Sequence, residues 1–175
     1  MQGRAAALRP TTFLVAALAL TAVAGVAAIA LARLADGERS AASDRAAGCE
    51  LRKASYGYPD WYLSRQLIPT VHPPVVAAGW RGPREPVEAD VLFHSIFHGY
   101  LVVQYRPDLA PARLAVLRGW VRGHTRRRVT SAPAPAGFPF AVHVGRWGYE
   151  LRCASAAALT ERRLDRFLAL PRPAP

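Results

Sequence analysis

The sequence predicts an α+β protein in which an N-terminal transmembrane helix precedes one small extracytoplasmic domain. Three observations predict it: an uncharged apolar stretch near the N terminus, strand-like and helix-like segments that alternate after Gly99, and a cysteine at each end of the domain. We expect a cytoplasmic tail at 1–10, a transmembrane helix at 11–33, a linker at 34–48 and the domain at 49–170. The domain core has the predicted order β-α-β-β-β-α, which is compatible with a thioredoxin-like core without its catalytic cysteine pair.

The apolar stretch runs for 22 residues from Thr11 to Ala32. As a helix it would be roughly 33 Å long, enough to cross a hydrocarbon core of about 30 Å. Arg4 and Arg9 precede it, and basic residues on a short flank keep that flank in the cytoplasm. We therefore expect a single-pass signal-anchor protein of the cell membrane. The alternative is a cleavable signal peptide, which would also place the domain outside the cytoplasm.

The chain is strongly basic, with 23 Lys and Arg against 12 Asp and Glu and a formal net charge of +11. Lys53 is its only lysine, and the arginines are scattered apart from the run at 126–128. This composition, rich also in alanine and proline, indicates a GC-rich coding bias more than a binding face. No nucleic-acid partner is predicted. The membrane is the expected partner through the helix, with an envelope protein or small ligand for the domain.

Cys49 and Cys153 are the only cysteines, and the predicted topology puts both outside the cytoplasm, where disulfides persist. A disulfide between them is our prediction. Two unpaired thiols, or a functional metal or redox pair, are the alternatives. No Cys-x-x-Cys motif is present, so the sequence carries no ready-made redox site.

Turn signals and hydrophobic periodicity divide the domain. Residues 56–86 contain six prolines and no clear period, which predicts a long ordered loop that carries His72. A helix is predicted at 87–97 with Gly99 as its stop, then a strand at 100–106 rich in β-branched and aromatic residues. The remaining predicted elements are a helix at 111–122, strands at 126–131, 140–144 and 149–153, the last two forming a hairpin, and a closing helix lined by Leu159, Leu164, Phe167 and Leu168.

His94 and His98 are four residues apart on the first predicted helix of the domain. Residues at this spacing share one helix face, with β-carbons about 5–6 Å apart, so both imidazoles could reach one metal ion. A further ligand would be needed, and the candidates are His72, His143, a cysteine, Glu85 or Asp90. The competing interpretations are histidines that hydrogen-bond the loop to the core, and acid–base catalysis.

The residue after His94 is Ser95, so the His-Glu-x-x-His pattern and its glutamate base are absent. The sequence also contains no glycine-rich phosphate loop and no Gly-x-Ser-x-Gly. No catalytic residue is assigned on these grounds.

The stretch His-Ser-Ile-Phe-His-Gly at 94–99, with the strand and Tyr-Arg-Pro-Asp-Leu that follow, resembles a motif of an actinobacterial family, domain of unknown function three-one-zero-five. Gly-Arg-Trp-Gly-Tyr-Glu-Leu-Arg at 145–152 resembles a later segment of the same family, and the similarity covers roughly 68–168. The resemblance implies a domain behind a single membrane anchor and supplies no established activity.

Two departures from that family concern the histidine site. The glutamate of its motif falls on Phe97 here, and its upstream Pro-Pro-Thr-Ser-Gly-Pro-His segment is reduced to Pro73-Pro74-Val-Val-Ala-Ala, without the histidine. His72 could substitute for that histidine only if the loop refolds.

The predicted function is therefore a membrane-anchored extracytoplasmic binding or interaction module. A metal site of His94, His98 and His72 would take a divalent ion or copper. The alternative is a metal-dependent or redox enzyme of the cell envelope.

Overall fold

The computed structural model describes residues 10–54 and 72–171, and the chain divides into two compact units between Ala42 and Ser43. Helix α1 spans Pro10–Ala46. Residues 34–46 of the predicted linker continue this helix, and they contain no proline to end it. In the part of the chain that the structure describes, no helix combines the length and apolarity needed to cross a membrane.

The second unit is built on a five-stranded mixed sheet in the order β1-β5-β4-β2-β3. Strands β2 and β3 are parallel, and the other neighbours are antiparallel. The strands are β1 Cys49–Lys53, β2 Leu101–Tyr105, β3 Val129–Pro133, β4 Val142–Arg146 and β5 Tyr149–Cys153, and the helices are α2 Ala89–Phe97, α3 Pro111–Gly123 and α4 Glu161–Leu168. The predicted core order β-α-β-β-β-α is confirmed from β2 to α4.

Helix α3 makes the crossover between β2 and β3, and β4 and β5 form the predicted hairpin, with Gly148 at φ 83° in its turn. This positive φ explains the glycine at position 148, since residues with a side chain rarely adopt it. Strand β3 begins at Val129, three residues later than predicted. The reason is local: 125–127 form a short 3-10 turn, and Arg128 adopts a left-handed conformation with φ 57°.

Apolar side chains cover both faces of the sheet. Val103, Tyr105 and their neighbours face α3 and α4, whose Leu117 and Leu164 are fully buried. Val102 points the other way and packs with Leu92 and Ile96 of α2. The alternation along β2 follows from the two-residue period of a strand, and it puts α2 alone on the second face.

Cys49 and Cys153 lie directly opposite each other on β1 and β5 and form a disulfide, so that prediction is confirmed. A second tie joins the end of α1 to α4, where the carboxylate of buried Asp44 accepts hydrogen bonds from Arg163 and Arg166 at 2.5 and 2.8 Å. Both contacts lie within the second unit.

Candidate metal centre

Helix α2 presents His94 and His98 on the same face, one turn apart. Their Nε2 atoms are 3.0 Å from each other and their ring centroids are 4.5 Å apart. The side chain of His94 is buried at 6% exposure, while His98 is exposed. The predicted helix therefore aligns the two rings as the i, i+4 spacing requires.

The loop before α2 brings a third ring to this pair. His72 is exposed, and its ring centroid lies 4.2 Å from that of His94 and 6.1 Å from that of His98. One ring nitrogen from each of the three residues lies within 4.8 Å of the others. We call His72, His94 and His98 the histidine triad. From the sequence, His72 could join the site only if the loop refolded. In the structure the loop does place His72 beside His94 and His98.

Ser95 fixes the loop that carries His72. Its Oγ donates to the carbonyl of Val91 at 2.7 Å and accepts from the backbone N–H of Val76 at 3.0 Å. Ser95 is completely buried and Val76 nearly so. Because the hydroxyl satisfies a backbone donor that water cannot reach, it ties the loop four residues after His72 to the middle of α2.

A second tether joins the same loop to strand β3. The N–H of Gly79 donates to Val129 at 3.0 Å, and the carbonyl of Gly79 accepts from Ser131 at 3.0 Å. Gly79 has a φ of 140°, a backbone conformation that side chains rarely adopt. The loop is therefore held at two points, on α2 and on the sheet edge, and both hold it beside the triad.

The environment keeps His94 neutral. Burial lowers its pKa below the ordinary 6.5, and the nearby His72 and His98 lower it further, against a smaller opposing effect of the carbonyls of Pro73 and Pro74. Those carbonyls attract a proton on the ring, but Nδ1 makes no well-aligned hydrogen bond within the described residues. A neutral imidazole keeps the lone pair that a metal ion needs.

Three imidazoles converging from a helix and a loop can act as ligands of one metal ion. Zinc–imidazole bonds are about 2.0–2.1 Å long, so two ligating nitrogens stand somewhat more than 3 Å apart. The 3.0 Å between the Nε2 atoms of His94 and His98 is close to this separation, and the nitrogen of His72 lies within 4.8 Å of both. No carboxylate or thiolate among the described residues completes the group. Three protein ligands leave one position of a tetrahedral ion for water or another molecule.

Phe97, the residue before His98, is 58% exposed. Its ring contacts those of His98 and Trp147 edge-on, with centroids 5.5 and 6.1 Å away. An aromatic ring can neither accept a proton nor bind a metal ion as a carboxylate does. The triad therefore has an apolar neighbour in Phe97.

The other proposed ligands lie outside the triad. Both cysteines are in the disulfide, Glu85 accepts from the N–H of Gly82, and Asp90 accepts from the N–H of Val91. His143 faces away from Val142 and Val144, as predicted from strand alternation, and is completely buried.

His143 belongs to a separate buried ionic cluster. Its Nε2 is 3.0 Å from Oε2 of Glu150, whose other oxygen is 2.6 Å from Arg152. Burial lowers the pKa of His143, with Arg152 assisting and Glu150 opposing. Burial works to raise the pKa of Glu150, but His143 and Arg152 together outweigh it and lower that pKa. The cluster is thus an ionised Glu150–Arg152 pair that accepts a hydrogen bond from a neutral imidazole.

Sequence reasoning missed two contributors to the site. The sequence patterns predict no role for Ser95 or Gly79 in holding the loop. A serine in the middle of an apolar helix face, between Phe93 and Ile96, was a usable signal, because a buried hydroxyl needs hydrogen-bond partners.

The fold and the triad define an α+β domain with a histidine cluster between a helix and an anchored loop. The sequence profile described as Protein of unknown function (DUF3105) matches residues 78–173, more than half of the chain, and the chain belongs to this family. The match includes His94 and His98 and begins after His72. No curated protein and no solved structure matches the chain significantly.

Proposed function

We propose that this chain is a metal-binding protein of the cell envelope, in which the histidine triad holds one transition-metal ion. The observation that carries the proposal is the convergence of three imidazoles, one ring nitrogen from each within 4.8 Å of the others. Simple hydrogen bonding would not require three rings at one point, because imidazoles that approach so closely repel each other once protonated. When the three rings are neutral this repulsion is absent, and their lone pairs can bind one metal ion.

Zinc and copper are the ions that suit the triad. Imidazole nitrogen favours zinc, copper, nickel and iron over the hard cations magnesium and calcium, which prefer oxygen. Copper(II) stands at the top of the affinity order among divalent first-row metals, and zinc commonly takes tetrahedral sites with imidazole ligands. The lowered pKa of His94 supports binding, because fewer protons compete for its nitrogen at neutral pH.

Membrane anchoring through residues 11–33 belongs to the proposal. Its support is the uncharged stretch from Thr11 to Ala32 behind Arg4 and Arg9, which favours a cytoplasmic N terminus and an extracytoplasmic domain. The disulfide supports the same side of the membrane, since disulfides persist in oxidising compartments. Two assays test this part: carbonate extraction should leave the chain in the membrane, and protease added to cells with a permeable outer layer but an intact cell membrane should digest the domain.

A thioredoxin-like core is the finer fold assignment that we propose. The support is a parallel β-α-β unit followed by a β-hairpin and a closing helix, in one sheet. The two cysteines are bonded to each other across β1 and β5 and lie outside any Cys-x-x-Cys motif. We therefore propose that the fold acts as a scaffold for the triad, and we assign no thiol chemistry to the two cysteines.

Metal binding is tested on the full chain, purified in neutral detergent and stripped with a chelator. We expect one equivalent of zinc or copper by titration calorimetry and by elemental analysis after desalting. His98→Gln and His72→Gln should each lose most of the affinity. His124→Gln is the matched control, because His124 lies at the end of α3, outside the triad, and its ring nitrogens face Trp120 and Asp165. Equal binding by all variants, or no binding by wild type, would refute the proposal.

A second candidate, a metal-dependent enzyme of the envelope, is favoured by the coordination position that three ligands leave open. The metal would then activate a water molecule there. Turnover that requires metal and disappears in His98→Gln, on a panel of ester and phosphoester substrates, would support it. Metal binding without turnover would favour the binding module, as does the apolar ring of Phe97 beside His98, which cannot accept a proton.

A further inference from the structure

A cleft of about 240 Å³ opens beside Gly99 and Leu101, just after the end of α2. Four arginine side chains line it: Arg126, Arg127, Arg128 and Arg146. The backbone at Gly99 and Leu101 forms part of its wall. The arginine run at 126–128, the one exception to the scattered basic residues in the sequence, is thus concentrated at one place with a fourth arginine from β4.

The arginine cleft concentrates positive charge at one place. None of the described residues that line it is acidic. Within 10–54 and 72–171, neither Arg126 nor Arg127 forms an ion pair, although other surface arginines such as Arg106 do. Like charges brought together in a concave site repel one another, and the low-dielectric walls strengthen that field. A multiply charged anion would relieve the repulsion.

Two of the arginines are held in place by backbone carbonyls. Arg146 is 9% exposed, and its Nη1 donates to the carbonyls of Leu168 and Leu170 at 3.1 and 3.0 Å, just where α4 ends. Arg128 donates to the carbonyl of His98 at 2.9 Å. Fixed guanidinium groups lose less entropy when they bind a ligand, so the cleft is preorganised.

The backbone beneath the cleft is also unusual. Arg128 is the only non-glycine residue with positive φ in the part of the chain that the structure describes. Such a conformation costs of order 1–3 kcal/mol in residues other than glycine, and it is retained where the surroundings require it. Here it ends the 3-10 turn that carries Arg126 and Arg127, and so directs three successive arginines around the cleft.

We infer that the arginine cleft is a binding site for a phosphate-bearing anion with two or more negative charges or neighbouring acceptor oxygens. Guanidinium groups bind phosphate oxygens with paired, charge-assisted hydrogen bonds, and the cleft offers guanidinium groups from two different elements. The anion could be a small soluble phosphate or the headgroup of an anionic lipid, which share this chemistry. The inference does not depend on the histidine triad, because none of the three histidines lines the cleft. The variants that test it leave all three histidines unchanged.

The test uses the full chain in neutral detergent and a phosphate-free buffer at low ionic strength. Inorganic pyrophosphate and, separately, a short-chain phosphatidylglycerol below its micelle concentration are titrated by calorimetry. The cleft variant is the double substitution Arg126→Gln, Arg127→Gln. The matched control, Arg118→Gln, Arg122→Gln, removes the same charge from exposed residues of α3 that do not line the cleft.

We expect wild type and control to bind the probe, and the cleft variant to bind at least about tenfold more weakly, since two charge-assisted contacts are lost. Arg127→Lys, which keeps the charge but loses the planar fork, should fall between them. Binding of pyrophosphate but not the lipid identifies a soluble ligand, and the converse identifies a headgroup. Absence of binding by wild type to both probes, or equal losses in cleft and control variants, would overturn the inference. Zinc binding, measured in parallel, should be unchanged in the cleft variant.

Discussion

Replacing Ser95 with alanine removes the hydroxyl that ties the loop of His72 to α2. The carbonyl of Val91 keeps its helical position, so the main loss is the acceptor of the Val76 N–H, which lies 3.0 Å from the hydroxyl. Val76 is only 6% exposed, and Ser95 is not exposed at all. An unsatisfied buried donor costs about 1–3 kcal/mol, so we expect the free energy of unfolding to fall by about 2 kcal/mol.

The same substitution should weaken metal binding although Ser95 is not a ligand. Without the hydrogen bond to α2, the loop no longer holds the ring centroid of His72 at 4.2 Å from that of His94. Loss of a group that positions a ligand typically lowers metal affinity about 10–100-fold, and we expect a loss in that range. Urea denaturation of the metal-free full chain measures the stability, and zinc titration of the same samples measures the affinity.

Ser155→Ala is the control for both measurements. The Ser155 hydroxyl also accepts from a backbone N–H, that of Ala157 at 3.2 Å, but at an exposed site where water can replace it. Ser155→Ala should lower the free energy of unfolding by no more than about 1 kcal/mol, as loss of an ordinary helix cap does. It should leave the zinc affinity unchanged. If Ser95→Ala matched this control in stability and in affinity, the argument that Ser95 positions the loop would be wrong.

Three further perturbations test the remaining parts of the fold. Asp44→Asn should lower the free energy of unfolding by about 3 kcal/mol, because it leaves the buried Arg163 without its counter-ion, whereas Asp36→Asn in an exposed pair should change it by under about 1 kcal/mol; urea denaturation compares the two. Reducing the disulfide should cost up to about 4.7 kcal/mol for a loop of this length, and thiol titration should find no reactive cysteine before reduction. The lowered pKa values of His143 and Glu150 mean that the unfolded chain binds more protons than the native one, so stability should fall as pH drops below the ordinary 6.5 of histidine and further below the 4.5 of glutamate. Melting temperatures across this range check the sign: a rise in stability on acidification would contradict it, and His143→Gln should flatten the upper part of the profile.

Local sequence patterns accounted for most of the second unit's elements. The β-branched and aromatic run after Gly99 forms β2, and the three- and four-residue spacing of Leu114, Leu117, Trp120 and Val121 forms α3. Gly148 lies in the hairpin turn, whereas Gly145 lies within β4. These signals are short-range, since they depend on neighbouring side chains and on the backbone preferences of glycine and proline. The exception, the late start of β3, came from the left-handed Arg128, which no propensity of arginine would suggest.

The sequence by itself determined the family motif, the i, i+4 alignment of His94 and His98, and the presence of two cysteines able to pair. Only the tertiary structure decided that His72 joins the other two histidines and that Ser95 holds it there. The same holds for the meeting of Arg146 with the arginine run, from residues 20 apart in the chain. The physical reason is that helical spacing is fixed within a few residues by the backbone. The approach of a loop without regular structure depends on distant hydrogen bonds, here to α2 and β3, which no local pattern encodes.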